Sequence, residues 1–173
     1  MPTKAFLKGF KHELANRSFA LMTVRRMAGR LEGDEWFSFW KTYWDLEVIN
    51  ARRYEAAALV WGLNPVPGIP TRLKAWLVSS VPRFLMVALV RFVYRETLAY
   101  ADWLRELRKT GPSEASAFLD FMVEQEELQV EMMRMALAGR HGEIAGYAED
   151  FFLKYGRSIP KVGFGASPVT AGN

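Results

Sequence analysis

The sequence predicts an all-α protein, a bundle of four long helices with one long crossover and a short fifth helix near the C-terminus. Three observations predict it. Apolar residues recur every three or four positions through four long stretches. Clusters of Gly and Pro fall between those stretches. No segment alternates apolar and polar residues as a half-buried strand would. At 173 residues, half of them apolar and 14% aromatic, the chain has the size of one domain with a substantial core.

The first helix is expected over about 4–31, where Phe6, Phe10, Leu14, Leu21, Val24 and Met27 keep helical spacing. Gly33 and Asp34 end it and open the second, about 34–62, with Trp36, Trp40, Trp44, Tyr54 and Ala58 along one side. The stretch GLNPVPGIP, 62–70, breaks the chain firmly, because Pro65, Pro67 and Pro70 cannot continue a helix. A short piece at about 71–80 leads to Pro82, placed as an early residue of the third helix, about 82–109. Thr110-Gly-Pro ends that helix, and Ser113 with Glu114 opens the fourth, about 113–138. Gly139-Arg-His-Gly142 separates it from the short fifth, about 143–155. The bundle domain is therefore set at 1–156, and the Gly/Pro-rich tail 157–173 is expected to lack regular structure.

Composition removes several classes of function. Without Cys there are no disulfides, thiolate metal sites or cysteine nucleophiles, and a cytoplasmic location is expected. The net charge of +4 comes from scattered basic residues, so no nucleic-acid partner is expected. No Gly-rich phosphate loop opens a helix, and two histidines leave no material for a triad. The N-terminal MPTKAFLKGFKHEL lacks a continuous apolar run, so no signal peptide is expected there. The most apolar segment, about 71–94, is interrupted by Pro82, Arg83 and Arg91. Packing on the protein or on a second copy is the favoured expectation for it, with peripheral contact of 71–94 with a membrane as the rival.

The residues that stand out are polar ones on apolar stripes. On the fourth helix Leu119, Met122, Glu126, Gln129 and Met133 share a face. On the first, Phe6, Phe10, Glu13, Arg17 and Ala20 do the same, and on the second Trp40, Tyr43, Glu47, Asn50 and Tyr54. On the third the expected stripe is Leu89, Phe92, Glu96, Ala99 and Trp103. Four glutamates, one from each long helix, are thus expected to converge, with Asn50 and Gln129 beside them. Such a group cannot stay fully ionised in a dry core without divalent cations, an arginine or shared protons. Arg17, one turn after Glu13, is placed to supply the second remedy.

The order Glu13, Glu47-x-x-Asn50, Glu96, Glu126-x-x-Gln129 resembles the carboxylate di-metal bundles of the ferritin-like superfamily over about residues 4–138. The resemblance implies a metal site at Glu13, Glu47, Asn50, Glu96, Glu126 and Gln129, holding iron or manganese. The sequence departs from the family pattern where Asn50 and Gln129 stand in place of histidines. His12 adjoins Glu13 and points off its face, and His141 falls in a loop. The expected outcome is a weak or vestigial oxygen-only site, or a core with no cofactor that is neutralised by Arg17. Three functions stay open: a di-metal oxidase or oxygenase, a metal-free binding or assembly protein working as a homodimer, and a protein similar to the membrane-associated quinone hydroxylases of that superfamily.

Overall fold

The structure, a computed structural model, describes residues 2–156. The tail 157–173 lies outside the described residues. Six α-helices carry the chain: α1 (Lys4–Arg30), α2 (Phe37–Val60), α3 (Ile69–Val78), α4 (Met86–Lys109), α5 (Ser116–Leu137) and α6 (Ile144–Gly156). Short 3-10 turns lead into α4, α5 and α6, and no strand occurs among the described residues. The all-α class is therefore correct.

Local chemistry explains where the helices begin and end. Thr3 caps α1 by accepting from the Phe6 N–H at 3.1 Å. The Asp34 carboxylate accepts from the Trp36 N–H at 2.9 Å, which shapes the turn into α2. At the end of α2, Gly62 takes φ 66°, and the Leu63 N–H closes back on the Ala58 carbonyl at 2.8 Å. Gly139 serves the same purpose after α5, with φ 75°. Pro70 sits in the first turn of α3, where a missing N–H costs nothing.

The long helices pack as two pairs, α1 on α2 and α4 on α5, and the pairs meet where α2 touches α5 and α1 touches α4. Within the connection between α2 and α4, α3 packs on α1 alone. Arg30 of α1 fastens the end of α3 by donating to the Ser79 carbonyl. The last helix, α6, lies against α2 and α5, and Arg53 of α2 donates to the Tyr155 carbonyl near its end.

Two apolar clusters form the core, one toward each end of the bundle. The first gathers Met27, Trp36, Phe39, Leu46, Met132 and Met133. The second gathers Phe6, Phe10, Tyr54, Trp61, Phe118 and Phe121. Phe10 meets the Trp61 ring edge-on at 4.5 Å, a geometry that adds to the burial of both rings. Met122, Met132, Met133 and Met135 fill core space, as expected of an unbranched, adaptable side chain.

One expectation fails. The inward stripe of α4 is Met86, Val90, Thr97, Ala101, Leu104 and Leu107, one position out of phase with the expected Leu89–Phe92–Glu96–Ala99 row. Phe92, Glu96 and Ala99 are exposed. The misleading signal was size: the large residues Phe92 and Leu98 face outward, while small Thr97 and Ala101 line the core. Segment 71–94, expected to pack on its own chain or on a second copy, is only partly buried on its own chain, through Ala75, Ser79, Met86 and Val90. Ala75 is the one buried residue of α3, and Leu73, Trp76, Leu77, Phe84 and Val87 stand exposed.

Candidate functional site

Between the two apolar clusters lies a buried polar layer, contributed mainly by α1, α2 and α5. Glu13 and Arg17 come from α1, Glu47 and Asn50 from α2, and Gln125, Glu126 and Gln129 from α5. All seven are buried, because each continues a stripe whose remaining members are core side chains.

Arg17 stands at the centre. Its Nη1 donates to Glu47 Oε1 at 2.9 Å and to Gln125 Oε1 at 3.1 Å, and its Nη2 donates to Glu126 Oε2 at 2.9 Å. Its Nε lies 3.1 Å from Glu13 Oε1, an ion-pair contact rather than a hydrogen bond. One guanidinium thus touches a carboxylate from each of three helices. Its planar fork suits that task where the single point charge of a lysine would not.

Neutral groups take up the remaining lone pairs. Tyr54 donates to Glu13 Oε1 at 2.7 Å, and Tyr100 of α4 donates to the other oxygen of Glu13. Gln129 donates to Glu47 Oε1 at 2.8 Å and accepts from Tyr43 at 2.8 Å. Gln125 Oε1 also accepts from Asn50 Nδ2 at 2.6 Å and from Gln129 Nε2 at 2.9 Å. Two buried atoms at the edge of this layer, Asn50 Oδ1 and Trp40 Nε1, find no partner.

The electrostatics follow from burial and from an excess of acid over base. Burial pushes the Glu47 carboxyl up from its ordinary 4.5 to about 7, even though Arg17 pulls the other way. Glu126 is raised for the same reason, with Glu13 and Glu47 adding to the effect of burial. Burial alone would lower Arg17, but Glu126, Glu13 and Glu47 more than reverse it, so the guanidinium stays charged. Tyr43, Tyr54 and Tyr100 are raised by burial and by the nearby carboxylates, and they remain protonated donors. Of the three remedies for crowded carboxylates, the arginine is the one the geometry contains, and burial holds the Glu47 and Glu126 carboxyls above the ordinary carboxylate range.

A cleft of about 290 Å³ between α1 and α2 reaches this layer. Arg17, Glu47 and Tyr54 line its depth, Leu14 and Leu21 its wall, and Pro65 and Pro67 of the connection its rim. A carboxyl that titrates near 7 beside such a cleft can take up and release a proton at neutral pH.

Of the residues expected from the sequence, Glu13, Glu47, Asn50, Glu126 and Gln129 come together. Glu96 does not: it is exposed on the outer side of α4, and Tyr100 makes the α4 contact to Glu13. Of the arginines near the acids in sequence, Arg52 and Arg95 are exposed, and Arg53 reaches the Tyr155 and Ile49 carbonyls and the Phe121 ring. Gln125 was missed. It lies on the row Phe121–Gln125–Leu128–Met132, and that spacing could have found it.

The ferritin-like resemblance implies a di-metal centre, and the side chains present do not fit one as they are arranged. The donors are three carboxylates without an imidazole, and a guanidinium lies among them. Neither His12, exposed on α1, nor His141, packed on Trp36, reaches the layer. Among the described residues, no group of three or more His, Cys, Asp or Glu side chains is set to hold a metal ion. No protein-family model matches the chain, and comparison with curated proteins and with solved structures gives no match either.

Proposed function

We propose that this chain is a divergent ferritin-like bundle whose metal place has been taken by Arg17, and that it works as a metal-free binding module rather than as an oxidase. Support for the ferritin-like part comes from two long-helix pairs joined by a long connection. It comes also from Glu13, Glu47-x-x-Asn50 and Glu126-x-x-Gln129 meeting in mid-bundle. Support for the metal-free part rests on one observation: Arg17 contacts Glu13, Glu47 and Glu126 at 2.9–3.1 Å through its three nitrogens. A single fixed cation there offsets the repulsion that divalent ions would otherwise have to offset.

The test is elemental analysis of protein purified without chelator. The wild type is expected to carry no stoichiometric iron or manganese, even after anaerobic loading with iron(II). Arg17→Ala, in which the carboxylates lose their cation, is expected to show a rise in melting temperature with added manganese that the wild type does not show. Near-stoichiometric iron or manganese in the wild type, lost in Glu47→Ala and in Glu126→Ala, would overturn the reading in favour of a di-metal oxidase.

A further inference from the structure

The surface of α3 and the first half of α4 carries an inference that goes beyond the polar layer and does not depend on it. Three observations converge there.

The first is apolar exposure in register. Ile69, Leu73, Trp76 and Leu77 fall at i, i+4, i+7 and i+8, one stripe of α3. That stripe lies opposite buried Ala75, and α1 reaches it at Trp76, where the Arg26 guanidinium lies over the indole ring. Ile69 is 81% exposed and Trp76 54%. Phe84, 83% exposed in the turn before α4, and Phe92, 63% exposed on α4, add exposed rings further along the chain. Isolated exposed apolar residues need no explanation, but a stripe of this kind does.

The second is charge. Residues 56–95 contain no Asp or Glu, and their charged residues are Arg72, Lys74, Arg83, Arg91 and Arg95, of which Arg83 pairs with Asp34 and Lys74 lies over the Phe19 ring. At 100° per residue, Arg72 and Lys74 flank the α3 stripe on its two sides. Arg91, Arg95 and Glu96 share the outer side of α4 with Phe92. Long basic side chains can lay their stems along such a face and keep their heads in an interface.

The third is shape. Among the described residues no single helix is long and apolar enough to cross a bilayer, and the helices at Ile69–Val78 and Arg83–Lys109 meet at a 94° bend. A ten-residue helix rises only about 15 Å, half the thickness of a hydrocarbon core. The segment suits lying on a surface rather than spanning it.

We infer that α3 and the start of α4 form a docking face for an anionic lipid bilayer, with the α3 stripe and Phe84 entering the headgroup region and the flanking bases meeting lipid phosphates. Charge decides against a second copy as the occupant. A two-fold contact sets the same patch on itself, and here Arg72, Arg91 and Arg95 of each copy would face the same bases of the other, an excess that Glu96 alone does not balance. An anionic surface attracts all of them at once.

The experiment is co-sedimentation of the full chain with vesicles of phosphatidylcholine alone and of phosphatidylcholine with added phosphatidylglycerol, paired with sedimentation velocity in the absence of lipid. Binding is expected to the anionic vesicles only and to weaken as salt is raised. Leu73→Asp with Trp76→Asp, and separately Arg72→Glu with Lys74→Glu, should each weaken it by about tenfold or more, with helix content unchanged. Either of two results would overturn the inference. One is equal sedimentation of the wild type and both double variants with anionic vesicles, or no sedimentation at all. The other is a lipid-free dimer that Leu73→Asp with Trp76→Asp dissociates, which would assign the face to a second copy.

Discussion

In the middle of the bundle, charged and amide side chains are buried, reached from outside through the cleft between α1 and α2. On the outer side of α3 and α4, aromatic and aliphatic side chains stand in water. The two regions invert the usual partition in opposite directions, and their energetics differ accordingly. A buried charge is costly in the folded state and free in the unfolded one, so the inner layer holds only because its members satisfy one another. An exposed Leu or Trp is hydrated in both states, so the outer face adds little to folding and little to its cost. The inner layer is a coupled unit. The outer face is a set of independent side chains, which leaves it free to serve binding.

The sharpest way to break this contrast is to remove the hub. Arg17→Met leaves three buried carboxylates with no cation, and it should cost roughly 3–5 kcal/mol. For a chain of this length that is a fall in melting temperature of roughly 10 °C or more, read by thermal denaturation at neutral pH. A change of only a degree or two would mean that the layer is hydrated and uncoupled.

The pH dependence of stability comes next. Glu47 is raised from 4.5 to about 7, so the folded state holds this proton more tightly than the unfolded state does. The associated stability is fully present below 4.5 and is lost as the pH rises through 7. By linkage the loss amounts to roughly 3 kcal/mol from this group, and Glu126, raised likewise, shares the trend. The melting temperature should therefore fall between pH 5 and pH 8. Glu47→Gln should flatten that fall, because an amide oxygen can still accept from Arg17 and Gln129. A wild-type profile that rises across the interval would contradict the burial of these acids.

A smaller effect separates two residues of α4. Tyr100→Phe removes a donor from the Glu13 carboxylate and should cost roughly 1–3 kcal/mol. Glu96→Ala should cost less than about 0.5 kcal/mol, since Glu96 faces solvent. Equal losses in the two variants, measured by urea denaturation, would return Glu96 to the core.

The smallest expected change is on the outer face. Leu73→Asp should alter stability by less than about 0.5 kcal/mol. Combined with Arg17→Met it should add simply, because the two positions share no partner, whereas Tyr100→Phe with Arg17→Met should not, because both act on Glu13. Non-additivity between Leu73 and Arg17 in a double-mutant cycle would join the two regions into one.

The sequence by itself determined the helical class, the breaks at Gly33, Gly62, Pro112 and Gly139, and the inward stripes of α1, α2 and α5. These are local matters: helical spacing and turn chemistry act within a few residues, and large apolar neighbours fixed each phase. Five of the six expected site residues were legible for that reason, and so was Arg17 as a neutralising group. On α4 the same reasoning failed, because its core row uses small Thr97 and Ala101 and places Phe92 outside. Only packing against α5 and α1 chose which side of α4 turned inward, and with it Tyr100 over Glu96. Only the tertiary structure decided that one guanidinium touches three carboxylates, since those contacts span 30 and 109 residues of chain and no local rule reaches so far. It alone also decided that α3 rests on α1 by one narrow edge. A short amphipathic helix buries its apolar stripe only where a partner surface is offered, and here the bundle offers none.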